Sequence, residues 1–261
     1  MKFMDLNKYD KRSYIMMAYV FLTCIMIVST YIWQYPGGLS MSNMATAVAQ
    51  CLIIMAIMLF LDNMVKSFAL IFLSGIIYLI GGSTLSGGLQ TFIGLLGYLI
   101  YLVRFLYNRN KGNIEMSDSP KERFKILLSG VIKPMELYSI YKAILIFVIL
   151  SVFISTQRSF VQDENMGTVL GNYQLPALHL AIMSSLPIFS LICLALNLKD
   201  GIYLKFIESV YFIYIITRIF IANPTQIIYA FQIFEYLLVM IACVYSLWYN
   251  DIQSRPERYI V

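Results

Sequence analysis

The chain has 261 residues, of which 60% are hydrophobic and only 13% charged. A soluble domain carries about a quarter charged residues, so this composition excludes an ordinary globular enzyme. The net charge of +5 is confined to a few gaps between apolar runs, which points to membrane topology and away from nucleic-acid binding.

Eight apolar runs are long enough to cross a ~30 Å hydrocarbon core at ~1.5 Å per helical residue. The first, 14–33, exceeds the ~7–15 residues of a signal-peptide core and ends in Tyr31 and Trp33. It reads as a retained leading span with an aromatic belt. Spans at 44–61, 66–82 and 89–106 follow, divided by Pro36-Gly37-Gly38, Asp62-Asn63 and Gly81-Gly82-Ser83. A longer connection holds Ser119-Pro120-Lys121-Glu122, a capping box with proline at the first helical position. Phe124, Leu127, Leu128, Val131 and Ile132 then recur at helical spacing opposite Lys121, Arg123 and Lys125. This predicts an amphipathic helix over 119–133, lying on the membrane as a linker with affinity for anionic lipid. A linker span at 139–156 and three spans at 176–196, 202–221 and 226–249 complete the chain.

Of the 19 lysines and arginines, 17 fall at the amino end, in alternate gaps and their flanking helix ends, and at the carboxyl end. Arg158 and Arg218 alone fall on the other side. The positive-inside rule then places both termini in the cytoplasm and requires an even number of spans. Spans two to four (44–106) and six to eight (176–249) share one layout and one direction, so span five inverts the chain between them. The prediction is an all-α, polytopic membrane protein with eight transmembrane helices, built as two parallel three-helix repeats joined by a linker helix. Counted from Leu61-Asp62 and Leu196-Asn197, Ser74 and Ser209 fall at matching offsets, and Gln90 and Gln226 each open a third helix.

Ionisable groups inside spans are costly and are the first functional candidates. Glu208 and Glu235 are such groups, and Gln90 adds an amide. Glu208 stands one turn from Lys205, so a local ion pair is open to it. Glu235 has Arg218 on the preceding helix as a possible counter-ion. Lys205 and Arg218 can also extend to an interface. Tyr98 with Tyr101, and Tyr245 with Trp248, sit at i and i+3 on their helices. Such pairs offer stacking surface for a flat ring, or serve as belt residues near the membrane surface. The single histidine, His179, excludes a multi-histidine metal site, and the four cysteines lie in apolar runs without a CxxC pair. No Walker A, HExxH or GxSxG motif occurs, so neither enzyme chemistry, a metal nor a cofactor is expected.

The three-plus-one-plus-three layout, with Gly97-Tyr98-Leu99-Ile100-Tyr101 and the looser Tyr245 to Trp248, resembles the PnuC family of vitamin transporters. The stretch from Leu194 to Phe220 is also similar. Only two tryptophans are present, where that family is tryptophan-rich. The resemblance implies a SWEET- or PnuC-like fold in the cell (inner) membrane and a facilitator of nicotinamide riboside or a related vitamin or nucleoside. It further implies uptake without ATP, trapping by intracellular phosphorylation, and a homo-oligomer, specifically a trimer. Substrate-binding residues would be Gln90, Tyr98, Tyr101, Glu208, Glu235, Tyr245 and Trp248. The expected partners are the lipid bilayer and a small-molecule solute. The other role open to such a chain is a non-transporting scaffold or accessory subunit of a larger membrane complex.

Overall fold

The computed structural model describes residues 41–254 except 62, 83, 113, 115–118, 129, 131, 163–168, 171, 172 and 175, together with Phe21 and Ile25. The leading span 14–33 lies outside the described residues apart from those two, which are helical.

The described residues form eight helices and one short hairpin: α1 Met41–Leu59, α2 Met64–Ile80, α3 Thr84–Asn110, α4 Pro120–Leu128, α5 Ser139–Gln162, β1 Val169–Leu170, β2 Tyr173–Gln174, α6 Ala177–Ala195, α7 Asp200–Ala222 and α8 Ile228–Ser254. Three segments are long and apolar enough to cross a membrane, Gly87–Asn110, Ala177–Ala195 and Ile228–Leu247. Met44–Leu59, Met64–Ile80 and Ser139–Ser155 are shorter apolar helices. This is the bundle of a polytopic membrane protein. Each of the seven later predicted spans corresponds to one helix. The hairpin, paired Val169 with Gln174 and Leu170 with Tyr173, lies in the loop between α5 and α6, with β2 against α7. Nothing in the hydropathy pattern announces it.

Within each triplet the middle helix packs on both neighbours, α2 on α1 and α3, and α7 on α6 and α8. Between triplets the contacts are reciprocal: α1 meets α8, and α3 meets α6. The linker helix α5 packs mainly against α6.

The closest helix contact is α2 on α3, and glycine permits it. A Cβ at Gly75 would come within 2.5 Å of the Thr91 backbone nitrogen, and one at Gly94 within 2.7 Å of that of Phe72. In a bilayer, where lipid is as apolar as leucine, such close backbone approach is what holds helices together. The main buried cluster draws on both triplets: Ile54, Ile57, Phe60, Met64, Phe68 and Tyr101 from one, and Leu194, Ile202, Val239 and Ala242 from the other.

The connection between α3 and α5 departs from expectation. The helix predicted over 119–133 ends at Leu128, and the chain turns at Gly130, whose φ is +69°. Lys121, Arg123, Lys125 and Phe124 face outward, but Ile132 is only 8% exposed and belongs to the main cluster. The described part of the apolar stripe is thus split: Phe124 and Leu128 face out, and Leu127 and Ile132 pack on the bundle.

Candidate functional site

A small cavity lies between the triplets. It is lined by Ile53 and Ile57 of α1, Phe60 of the turn that follows it, Ser67 and Ile71 of α2, Gln90 of α3, Leu191 and Leu194 of α6, and Lys205 of α7. Five helices from both triplets therefore meet on one space. Its empty volume is about 370 Å³ including the open mouth, but the enclosed part has room for about one water. The site is closed in this conformation.

Lys205 lines the cavity, and its partner Glu208 lies beside it, outside the lining. They sit at i and i+3 on α7, so one turn of helix brings ammonium and carboxylate together, and they form an ion pair. Glu208 is 2% exposed, and Ser190 Oγ of α6 donates to its Oε2 at 2.9 Å. Both carboxylate oxygens are thereby engaged, which is the condition for keeping a carboxylate out of water. Lys205 turns to Glu208 and the cavity, not outward to an interface.

On the facing triplet, Ser74 Oγ lies 2.7 Å from the Ile71 carbonyl and 2.9 Å from Gln90 Oε1. The predicted match between Ser74 and Ser209 holds in burial, since both are 0% exposed. It fails in bonding: Ser209 Oγ donates only to the Lys205 carbonyl of its own helix, at 2.8 Å.

Glu235 of α8 is half-buried and lies within electrostatic range of Lys205, Tyr78 and Tyr236. Arg218 is exposed, and no ion pair joins it to Glu235. Tyr236 stacks on Phe212 with centroids 4.8 Å apart. Tyr78 is in hydrogen-bonding reach of the Gln50 amide, whose buried Oε1 has no hydrogen-bond partner among the described residues. Two carboxyl groups and one ammonium thus lie close together in the interior, and only Glu208 is ion-paired with Lys205.

Of the expected site residues, the structure brings Gln90 to the cavity, Glu208 against the cavity residue Lys205, and Glu235 into range of Lys205. It sets the aromatic residues elsewhere. Tyr101 is 0% exposed, donates from its hydroxyl to the Leu127 carbonyl at 3.0 Å, and stacks on Phe105. Tyr98 and Tyr245 pack half-buried on the main cluster. None of the three lines the cavity. The side chain of Trp248 lies outside the described residues. Ser67 and the apolar walls are cavity residues that sequence reading missed, as is Ser190, the hydrogen-bond partner of Glu208. Serines and leucines in apolar helices carry no signal of which face they occupy. His179 bonds through Nδ1 to the Tyr211 hydroxyl near the opposite end of the bundle. Cys51, Cys193 and Cys243 are buried and form no disulfide among the described residues.

No family model matches the chain, and no curated protein matches it. Among solved structures, the chain is similar to the crystal structure of the vitamin B3 transporter PnuC. The match has 11% identity and a TM-score of 0.43, covering 90% of this chain and 93% of that one. The relationship is distant and says nothing of a substrate.

Proposed function

We propose that this chain is a membrane facilitator that imports a vitamin-sized, polar, ring-containing solute, nicotinamide riboside or a related vitamin or nucleoside. The observation that carries the reading is the cavity between two reciprocally packed triplets, lined by Lys205, the partner of buried Glu208, with Gln90 opposite. Charged groups kept at membrane depth mark solute pathways by default, and a site at the interface of parallel repeats is a transporter arrangement. A second carboxyl group, Glu235, beyond the one paired with Lys205 suits a solute that brings several hydrogen-bond donors, as a nucleoside does. Gln90, Lys205 and Glu208 form the polar contacts, and Glu235 adds the second carboxylate. The triplets are repeats, and the basic end faces the cytoplasm. Because the cavity is closed, the solute enters only when the triplets move apart.

Binding is tested by thermal shift of the purified protein with nicotinamide riboside, thiamine, riboflavin and deoxynucleosides. A ligand that binds only the folded state raises the melting temperature by mass action. One compound should stabilise the protein, and Glu208→Gln should abolish that shift. If none does, while the protein co-purifies with other membrane subunits, it is a scaffold. Orientation is tested by cysteine labelling: Ser86→Cys and Asn165→Cys should react from outside the cell, and Asn110→Cys and Ser254→Cys should not. Uptake into proteoliposomes should equilibrate the solute without concentrating it.

A further inference from the structure

We infer that Leu127, Leu128, Gly130 and residues 132–137 form a strap that gates the cavity from the basic end, and that it must leave one triplet whenever the triplets move apart. The inference rests on the transport reading for its purpose, and on contacts for its form.

The strap is tied to both triplets. From the first, Asn63 Nδ2 donates to the Leu128 carbonyl at 3.1 Å and Tyr101 Oη to the Leu127 carbonyl at 3.0 Å. Arg104 Nη2 donates to the Lys133 carbonyl at 2.9 Å. At Gly130 the strap passes so close over the turn between α1 and α2 that a Cβ would meet Asn63 Cγ at 2.9 Å. From the second triplet, the backbone between α6 and α7 pairs with it as a parallel bridge. Met135 N donates to the Asn197 carbonyl at 2.8 Å, and Lys199 N to the Met135 carbonyl at 2.7 Å. Asp200 Oδ2 accepts from Leu137 N at 2.9 Å, and Lys142 lies 3.5 Å from Asp200 Oδ1 and 3.1 Å from Glu136.

Between these two sets of ties, Ile132 inserts into the cluster that also holds Ile57, Phe60 and Leu194. Those three side chains are cavity walls. A connection that only needed to join α3 to α5 would bury no isoleucine there and spend no side-chain bonds on its carbonyls. Helix-terminal and loop carbonyls facing water are satisfied without protein partners. The ties are short and span two bodies, so separating the bodies on this side breaks one set of them.

The gate is tested by accessibility, which needs no knowledge of the solute. The reporter is Ser67→Cys, in the cavity wall, in a Cys193→Ala background. Its reaction with a membrane-impermeant maleimide is followed by mass spectrometry in inside-out vesicles. Strap release uses Tyr101→Phe with Asp200→Asn, one tie from each triplet, and Tyr101→Phe alone as the milder form. Strap locking uses Met135→Cys with Leu198→Cys under oxidation. Bridge partners sit about 4.8 Å apart, within the range a disulfide spans. The labelling rate should rise about tenfold on release and fall about tenfold on locking, with reduction restoring the native rate. Equal, measurable rates in all forms would overturn the gate and leave the transport reading standing. No labelling from either membrane face in any form would overturn both.

Discussion

The two triplets have one layout and different chemistry. In the first, α2 and α3 meet backbone to backbone through Gly75 and Gly94, and the polar groups between helices, buried Ser67 and Ser74 and half-buried Gln90, are neutral. In the second, α6 carries a proline at 187, and α7 and α8 carry Lys205, Glu208 and Glu235. Close glycine packing gives a wall with little freedom to move. Ion pairs and a proline-interrupted helix give a body whose interior is polar and whose ladder is already broken. The difference teaches that similar bundles divide the work: one half supplies the frame, the other the charge.

The largest expected effect breaks the second triplet. Glu208→Ala leaves Lys205 buried without its counter-ion and should destabilise the fold by about 3–5 kcal/mol, read as a lower melting temperature in detergent. Replacing both partners, Lys205→Met with Glu208→Leu, should restore stability while removing the solute shift. A double variant as unstable as the single one would mean that the pair sets packing shape and not charge balance.

Next comes the frame. Gly94→Ala places a methyl 2.7 Å from the Phe72 backbone nitrogen and should cost about 1–3 kcal/mol through overpacking, again read by thermal unfolding. Indifference to that change would show that α2 and α3 slide, and the contrast between triplets would fall.

A subtler comparison sets Ser74 against Ser209. Ser74→Ala strips Gln90 of a hydrogen bond from the neighbouring helix and should cost about 0.5–1.5 kcal/mol. Ser209→Ala loses only a bond back to its own helix and should be nearly neutral, since such back-bonding slightly destabilises helices. Equal losses would make the two sites equivalent in energy as well as in position.

The smallest effect lies at the strap's edge. The Lys142 ammonium holds the exposed Glu136 carboxyl below the usual carboxylate range. A group with a depressed pKa contributes stability above its ordinary pKa and loses it as pH falls through the lowered value. Glu136→Gln should therefore shift melting less than Ser74→Ala at neutral pH, and flatten the acid limb of the stability profile slightly.

The bundle was legible because hydropathy acts residue by residue. Seven spans came out near their helical bounds for that reason. The Lys205–Glu208 pair was legible as an alternative because i and i+3 are neighbours on any helix. Ser190 was not, because its bond to Glu208 joins residues 18 apart on different helices. Tyr101 illustrates the converse. Its spacing from Tyr98 says which face they share, but not that Leu127 waits there to accept the hydroxyl. The helix over 119–133 was overcalled because its periodicity continues past a glycine that long-range contacts hold at positive φ.

Asn197 closes α6 in the left-handed conformation, with φ 59°, as asparagine does after helix ends. Its Nδ2 reaches the Gly97 carbonyl at 3.3 Å, a hundred residues earlier in the chain. At ~5–20 residues per second of synthesis, the first triplet stands in the membrane for roughly 5–20 s before that residue is made. Through this interval Ile57 and Phe60 lack the Leu194 and Ile202 that later cover them. Nascent chains halted before α6 should therefore be the form that quality-control proteases and insertases hold longest, and ribosome pausing near codon 176 should lower yield more than pausing near the carboxyl end.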